Sequence, residues 1–229
     1  MPGGATWSIM GAGKVDVSGF DPGHVGPTVS ITSLGVPGWG LSDYKDLIDD
    51  VFNVWASVAN LTNLGEVADG GADAGALDAA GGHLGDIRVA AWEIGASGVL
   101  AHAFQPGTEA IFGPGGSIAG DIHFDLFAAP GVPWLWVDDP FDAPGDLTID
   151  IYTVALHEMG HALGLAHTGV FGAVMEPVYA GARRTLSADD IAGIQAIYGV
   201  KPEVPDAGSA GAMLLMSFLF LARRRSDKK

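Results

Sequence analysis

The spacing of apolar residues along the chain predicts two amphipathic helices. In the segment Leu41 to Ala59, apolar residues recur every three or four positions, and Ser42 is the expected N-cap. The segment Leu186 to Gly199 shows the same period, with Ser187 and Asp190 at capping-box spacing and a glycine at its end. We expect the first helix to pack across a sheet. Its apolar residues are Leu47, Ile48, Val51, Val54, Trp55 and Val58, and those of the second helix are Ile191, Ile194, Ile197 and Tyr198.

Short strands are predicted before and between these helices. Trp7 to Met10 and Thr28 to Thr32 have strand character within a region rich in glycine and proline, which indicates an initial strand and loops. Asp86 to Trp92, Val99 to Phe104 and Asp121 to Phe124 are further short strands, with glycines nearby that interrupt them. Together with the third helix described next, this order predicts a layered α+β domain.

The third predicted helix, Leu147 to Leu165, carries the residues with the most specific chemistry. Residues 157 to 167 read H-E-M-G-H-A-L-G-L-A-H. His157 and His161 are four positions apart, so they share one face of a helix and both imidazoles can reach one zinc ion. Glu158 lies one position round from the first ligand, where a carboxylate can act as a general base.

The third ligand is predicted from the turn that follows this helix. Gly164 can adopt the left-handed conformation that ends a helix, and the turned chain then brings His167 to the same ion. Three protein ligands leave the fourth position of zinc for water, which is typical of a catalytic rather than a structural site. The alternative of ordinary core or surface histidines is disfavoured, because this combination of residues at this spacing is rare by chance.

Composition indicates one main domain with an appendage. The chain has 229 residues, of which 48% are hydrophobic, so it can bury a sizeable core. Its 35 glycines and 13 prolines predict many turns and long loops. Cysteine is absent, which excludes a disulfide scaffold, a cysteine-ligated zinc and any cysteine that could block the zinc in a latent form.

The negative charge is concentrated in the body of the chain. Residues 1–200 carry 5 basic and 24 acidic side chains, a net charge near −19, whereas residues 201–229 carry 6 basic and 3 acidic ones, near +3. A body this acidic repels phosphates, so nucleic acid is not an expected partner. It suits divalent cations or a calcium-rich exterior instead.

Taken together, the motifs resemble the matrixins, a family of metzincin zinc endopeptidases. The resemblance implies the metzincin zinc-protease fold, a twisted and mostly parallel sheet with an antiparallel edge strand, packed on helices with the active-site helix at the cleft. It also implies that residues 1–200 form the catalytic domain. The likeness is strongest over residues 86–199, and the segments that carry it are His157 to His167, Val174 to Tyr179, Val99 to Phe104, Asp121 to Asp125 and Leu186 to Gly199.

The resemblance assigns roles to further residues of the cleft. Met175 follows His167 by eight residues, as the methionine of the matrixin Met-turn does, which implies packing beneath the zinc rather than ligation. Pro177 and Tyr179 correspond to the wall of the pocket for the residue after the scissile bond. Tyr179 is four residues from the methionine rather than two, so we expect it to shape the pocket and not to bind zinc. Val99 to Phe104 becomes the edge strand to which substrate adds as an antiparallel strand.

A second, structural zinc site of the family is only partly represented. Matrixins use a histidine and an aspartate from a loop before the edge strand, and one histidine from each of the next two strands. His102 and His123 match the last two, but the stretch Glu93 to Gly98 is too short for the loop and lacks its ligands. The open alternatives are that the site is lost or that one residue substitutes: His83, Asp86 or Glu93.

Calcium binding is a weaker expectation. Asp125 matches a family calcium ligand, although the acidic run that usually follows it is replaced by L-F-A-A-P. The segment Ala68 to Gly85 is rich in Gly, Ala and Asp, and its aspartates could bind calcium. It contains no D-x-D-x-D-G loop with a distal glutamate, so a solvated loop is favoured.

The leading functional hypothesis is a zinc-dependent endopeptidase that hydrolyses internal bonds of extended polypeptides as a monomer. Zinc lowers the pKa of its bound water to about 7 and polarises the carbonyl, while Glu158 removes the proton from the water and delivers it to the leaving amine. One alternative is a catalytically silent metzincin-fold surface binding module. A zinc hydrolase acting on a non-peptide substrate is a third possibility, which the Met-turn and the edge strand disfavour.

The two ends of the chain bear on its location. Residues 201–209 form a linker with a V-P-D motif, and residues 210–229 combine the apolar run Ala210 to Ala222 with three arginines. This pattern predicts membrane insertion rather than a core helix. It resembles bacterial exosortase-type C-terminal sorting signals, which implies an exported protein of a Gram-negative-type cell envelope, anchored transiently until a sorting enzyme acts. No signal peptide is visible at the start, so we expect a truncated or misplaced N-terminus.

Overall fold

The computed structural model describes most of the predicted catalytic domain. The described residues are 3–20, 23–76, 85–96, 98–107 and 118–203. His83, one of the possible ligands of a second zinc, and the predicted C-terminal anchor lie outside these ranges.

Ten strands and three α-helices are present in the described residues. The strands are β1 (Gly3–Ile9), β2 (His24–Val29), β3 (Leu61–Glu66), β4 (Ile87–Ile94), β5 (Ala101–Ala103), β6 (Ile122–Asp125), β7 (Phe127–Ala129), β8 (Val132–Pro133), β9 (Leu135–Val137) and β10 (Thr148–Asp150). The helices are α1 (Leu41–Val58), α2 (Ile151–Ala162) and α3 (Ala188–Tyr198). The five predicted strands correspond to β1, β2, β4, β5 and β6, with shifted ends. The remaining strands were not predicted from the sequence.

Six strands form one mixed sheet that confirms the expected α+β metzincin architecture. The spatial order is β3-β1-β4-β6-β5, with parallel pairing from β3 through β6 and an antiparallel edge strand β5. Strand β1 pairs with the first half of β4, and β2 pairs antiparallel with its second half. The edge of β4 is therefore covered by two strands in succession, and residues near the start of β2 lie beside the end of β4.

Helix α1 packs across the sheet as its apolar period predicts. Its buried face includes Leu47, Ile48, Val51 and Trp55, and the Trp55 Nε1–H donates to the carbonyl oxygen of Leu156 at 3.0 Å. This bond ties α1 to α2 through the core. The predicted N-cap is wrong by two residues. Gly40 holds the N-cap position, and its N–H donates to the Asp43 carboxylate at 2.7 Å, while Ser42 lies within the first turn.

Helix α2 is shorter than its predicted range of 147–165. Asp150 caps it, because the carboxylate accepts hydrogen bonds from the backbone N–H of Thr153 at 3.1 Å and from its Oγ1 at 2.6 Å. Residues 148–150 instead pair as β10 with β9. The helix ends at Ala162 rather than Leu165, since the Gly164 N–H bonds to the carbonyl oxygen of His161 and tightens the last turn.

Helix α3 confirms the predicted capping box and corrects the predicted buried face. The Asp190 N–H donates to Ser187 Oγ at 3.2 Å, and the Ser187 N–H donates to the Asp190 carboxylate at 2.8 Å. Of the four apolar residues expected to be buried, only Ile194 is fully so, and Ile197 is 45% exposed. The helix therefore lies at the periphery of the core.

The segment 68–76 is held by a buried arginine. Arg88 of β4 is 1% exposed, and its Nε and Nη2 donate to the two carboxylate oxygens of Asp69 at 2.9 and 3.0 Å. Nη2 also reaches the carbonyl oxygen of Ala72, and Nη1 that of Asp73. Residues 68–76 are a loop, as predicted, and most of them are at least partly exposed. Asp69, however, is paired with the buried Arg88 instead of being a solvated carboxylate.

The predicted membrane-inserting segment, Ala210 to Ala222, lies outside the described residues. Within the described part of the chain, every helix is too short or too polar to cross a bilayer. The tail and the boundaries at residues 200 and 209 therefore stay predictions.

Replacing Arg88 with leucine should lower the free energy of unfolding by about 3–5 kcal/mol, because Asp69 would keep its charge without its partner. Chemical denaturation followed by tryptophan fluorescence measures the change. Lys45→Ala is the control, since Lys45 pairs with Glu66 on the surface, with 36% and 38% of the two side chains exposed. It should cost about 0–1 kcal/mol. Equal losses in the two variants would contradict a structural role for the buried pair.

Candidate metal centre and active site

Two histidines of α2 present their Nε2 atoms to the cleft because the backbone fixes their other nitrogens. His157 Nδ1 lies 2.7 Å from the carbonyl oxygen of Val174, and His161 Nδ1 lies 2.7 Å from that of Leu165. A carbonyl oxygen can only accept, so each Nδ1 carries the proton and each Nε2 keeps its lone pair. Both rings are thus oriented and in the tautomer that binds a metal.

His167 joins them from the turn that follows α2. Gly164 has φ of 105°, in the region predicted for the residue that reverses the chain. His167 Nε2 lies 3.1 Å from His161 Nε2, and one nitrogen from each of the three rings lies within 4.8 Å of the others. Three converging imidazole nitrogens are a donor set that suits zinc, and the fit holds without any thiolate.

A buried carboxylate lies next to these imidazoles. Glu158 is 5% exposed, and its Oε2 has no hydrogen-bond partner in the described part of the chain. Burial raises the pKa of this carboxyl group to about 8 and lowers the pKa of His157 to about 4. It also lowers the pKa of His161. Burial thus keeps both imidazoles neutral, while the glutamate is poised to exchange a proton near neutral pH.

Met175 packs directly beneath α2, as the Met-turn resemblance implies. The methionine is 2% exposed, and a β-carbon placed on Gly160 would lie 2.4 Å from its Sδ and 2.9 Å from the ring of Trp55. Only glycine leaves this space inside the helix. A glycine in a helix interior ordinarily destabilises it, so Gly160 was a sequence signal for close packing that the predictions did not use.

Asp190 holds the Met-turn from the other side. Beyond its capping role, its buried carboxylate accepts hydrogen bonds from the backbone N–H groups of Val174 at 2.9 Å and Met175 at 3.1 Å. Val174 thus contacts both elements: its N–H bonds to Asp190 at the start of α3, and its carbonyl oxygen orients His157. The sequence showed Asp190 only as an imperfect capping residue, because its second contact comes from a distant segment.

The three imidazoles and Glu158 lie in an open cleft of about 1000 Å³. The edge strand β5, Pro177 and Tyr179 all line this cleft. The Tyr179 hydroxyl bonds to the Asp142 carboxylate and accepts from the Asp150 N–H at 2.8 Å. The pKa of this phenol is raised, mainly by burial and secondly by the hydrogen bond to Asp142. The tyrosine is thus fixed as part of the wall.

Residues 36–199 match the matrixin family. The chain belongs to the matrixins. Among its relatives are interstitial collagenase of Bos taurus, 36% identical over 179 residues, and macrophage metalloelastase of Oryctolagus cuniculus, 38% identical over 160 residues. These alignments cover 74% and 69% of this chain but 33% and 29% of the relatives. Neutrophil collagenase of Homo sapiens is 41% identical over 109 residues, which are 46% of this chain and 19% of that protein.

The matrixins are a peptidase family whose members use a catalytic zinc. The chain spans about a third of the length of the collagenase that it matches. The roles of individual residues in this chain are therefore taken up as a proposal below.

The two histidines expected at a second zinc site also meet in this matrixin. His102 Nε2 of β5 lies 3.1 Å from His123 Nδ1 of β6. The residue that joins them is His24 of β2, whose Nε2 lies 3.1 Å from the same His123 nitrogen. Neither Asp86 nor Glu93 belongs to this group. The third member is His24, which the sequence analysis did not select.

Asp125, expected as a calcium ligand, is enclosed at the end of β6. It is fully buried, and its Oδ1 accepts hydrogen bonds from the N–H groups of Ile94 at 2.8 Å and Phe127 at 3.2 Å. Burial raises the pKa of its carboxyl group, and these hydrogen bonds lower it in part. The contacts account for Asp125 as a structural acceptor, and calcium binding by this residue stays a prediction.

Replacing Gly160 with alanine should destabilise the domain by about 1–3 kcal/mol, because the new methyl group displaces Met175 and Trp55. A helix-interior glycine with free space would respond in the opposite sense, gaining about 0.5–1 kcal/mol. Thermal and chemical unfolding measure the change. Gly169→Ala is the control, since a β-carbon there meets no atom within 4 Å. A more stable Gly160→Ala protein would contradict the packing described.

Proposed function

We propose that this matrixin domain is a zinc-dependent endopeptidase that hydrolyses internal peptide bonds of extended polypeptides. One observation carries the proposal: three imidazole nitrogens converge beside the buried carboxylate of Glu158, in a cleft open to solvent. Three protein ligands, with an adjacent carboxylate that can act as a base, suit a catalytic zinc site rather than a structural one.

His157, His161 and His167 would hold the ion. When bound, zinc would polarise the scissile carbonyl and lower the pKa of a water molecule to about 7. The protein prepares this arrangement in advance, because Val174 and Leu165 fix two of the rings through their carbonyl oxygens. Because these rings are already oriented, binding of the ion does not have to order them.

Glu158 would act as the general base. Burial raises the pKa of its carboxyl group. A cation held by the adjacent histidines would stabilise the carboxylate and lower this pKa towards neutral pH. A base with a pKa near the working pH can take a proton from water and later release it to the leaving amine. Both transfers require the same side chain in the same position, which the buried setting of Glu158 provides.

The substrate would lie along strand β5. This strand pairs with β6 through Ala101 to Ala103 and forms the end of the sheet order in the described residues. Backbone groups on its outer side can accept an added antiparallel strand, which recognises an extended chain with little regard for its sequence. Specificity would then come from the pocket in which Pro177 and the fixed ring of Tyr179 meet the residue after the scissile bond.

Replacing Glu158 with alanine should lower kcat/KM for a casein-type substrate by about 10²–10⁴-fold, because proton transfer to and from water would lose its base. Zinc content should stay at the wild-type value, since the three imidazoles remain. A fluorescent peptide-release assay and elemental analysis of the same sample measure the two quantities.

Glu66→Gln is the matched control, because Glu66 lies on β3 and pairs with Lys45 on the surface. It should retain full activity. Undiminished cleavage by Glu158→Ala would disprove the role of the base. A wild-type protein that binds zinc but cleaves no unfolded polypeptide would favour the binding module.

We further propose that the protein acts at a bacterial cell envelope or outside the cell, held for a time by its C-terminal segment. The support is the order of the V-P-D motif, the apolar run and the arginines in residues 204–225. In cell fractionation, the full chain should be recovered with membranes and a chain ending at Glu203 with the soluble fraction. Equal distribution of the two would contradict the anchor.

A further inference from the structure

A second cluster of histidines joins three strands of the sheet. His24 lies at the start of β2, His102 in β5 and His123 in β6. His123 Nδ1 is 3.1 Å from His24 Nε2 and 3.1 Å from His102 Nε2, and one nitrogen of each ring lies within 4.8 Å of the others. The spacing is similar to that of the three histidines in the cleft.

The rings of the cluster are held by aromatic contacts, and His123 is fully buried while His24 and His102 are partly buried. The side chain of His24 is 4% exposed and stacks on Trp92, with ring centroids 3.7 Å apart and planes 3° from parallel. Phe104 meets His102 edge to face at 5.3 Å and His123 at 5.8 Å. The direction in which each ring points is therefore set by packing, and three nitrogens are aimed at one volume.

An acidic residue lies near the outer nitrogen of one of these rings. Asp16 Oδ2 lies 3.6 Å from His24 Nδ1, the nitrogen that faces away from the other two histidines. At this ion-pair distance the negative charge of the carboxylate favours the tautomer whose outer nitrogen carries the proton, so that the inner nitrogen can bind a metal. Asp16 is thus suited to a positioning role behind His24 rather than to direct ligation.

A second, structural zinc is a property of the family. We propose that in this chain His24 replaces the family's loop ligands and holds that zinc together with His102 and His123. Imidazole nitrogens suit zinc and disfavour calcium, which prefers oxygen donors. The ligand set departs from the family arrangement that the resemblance implies, because Glu93 lies outside the cluster in the described residues. His24, about seventy residues upstream, takes that place because β2 pairs with the end of β4 and brings it beside the two neighbouring strands.

The ion would stabilise strand β5, which borders the cleft. Strand β5 pairs with β6 over only three residues, Ala101 to Ala103, and it borders the cleft on its other side. A metal held by β2, β5 and β6 would join this short strand to the sheet at its middle residue, His102. It would also secure the chain around Asp16 and His24 against the sheet.

Zinc stoichiometry of the full 229-residue chain tests the proposal. After zinc loading and removal of free ion, the wild-type protein should hold two zinc ions per chain, and His24→Ala one. The double variant His157→Ala, His161→Ala should also hold one, and adding His24→Ala to it should leave none. In that double variant, zinc should raise the midpoint of thermal unfolding, and the increase should disappear with His24→Ala.

Glu93→Ala is the matched control, because Glu93 pairs with the neighbour of His24 in the β2–β4 ladder but lies outside the cluster. It should keep two zinc ions. The proposal is overturned if the double variant His157→Ala, His161→Ala binds no zinc, if that double variant still binds zinc after His24→Ala is added, or if Glu93→Ala loses the second ion as His24→Ala does.

A more conservative substitution tests the proposal if His24→Ala does not fold. Asp16→Asn in the double-variant background should weaken zinc binding by about 10-fold or more, measured by competition with a chelating indicator, because His24 loses its positioning carboxylate. Unchanged affinity would overturn the role of Asp16. None of these readouts depends on peptide cleavage, so they stand apart from the proposed activity.

Discussion

The contact between Met175 and Gly160 is the constraint on which the rest of the site depends. The methionine can lie beneath α2 only because the helix has no side chain at Gly160. Its neighbour Val174 then places a carbonyl oxygen against His157, and the backbone of both residues is held by Asp190. One close approach thus connects the zinc helix, the turn beneath it and the closing helix. Displacing any one of them would move the imidazole that the carbonyl orients.

The two histidine clusters use the same donors in different surroundings. In the cleft, Glu158 adjoins the imidazoles, and the volume in front of them is open to solvent. In the second cluster, aromatic rings surround the histidines, and the nearby carboxylate of Asp16 lies behind a ring instead of in front. The first arrangement leaves room for water and substrate beside a base. The second suits cross-linking of strands, because β2, β5 and β6 each supply one of its histidines.

Much of the fold and of the catalytic centre could be predicted because the signals are local. The helix spacing of His157 and His161, the turn at Gly164 and the capping box at Ser187 each depend on a few adjacent residues. The predictions failed where pairing with distant residues decided the outcome. The helix of His157 and His161 was predicted to begin at Leu147, yet β9 pairs with residues 148–150 and the helix begins only after Asp150. The loop around Asp69 was predicted, but its pairing with Arg88 of β4 was not.

By itself, the sequence determined the α+β class, the three histidines of the cleft and the position of the candidate base. These follow from periodicity and short separations, which a single chain displays directly. Only the tertiary structure decided that His24 joins His102 and His123, that Tyr179 is fixed by Asp142, and that Asp190 supports Met175 as well as α3. Each of these contacts links segments that are far apart along the chain. Their partners are chosen by sheet register and by burial, which no local pattern records.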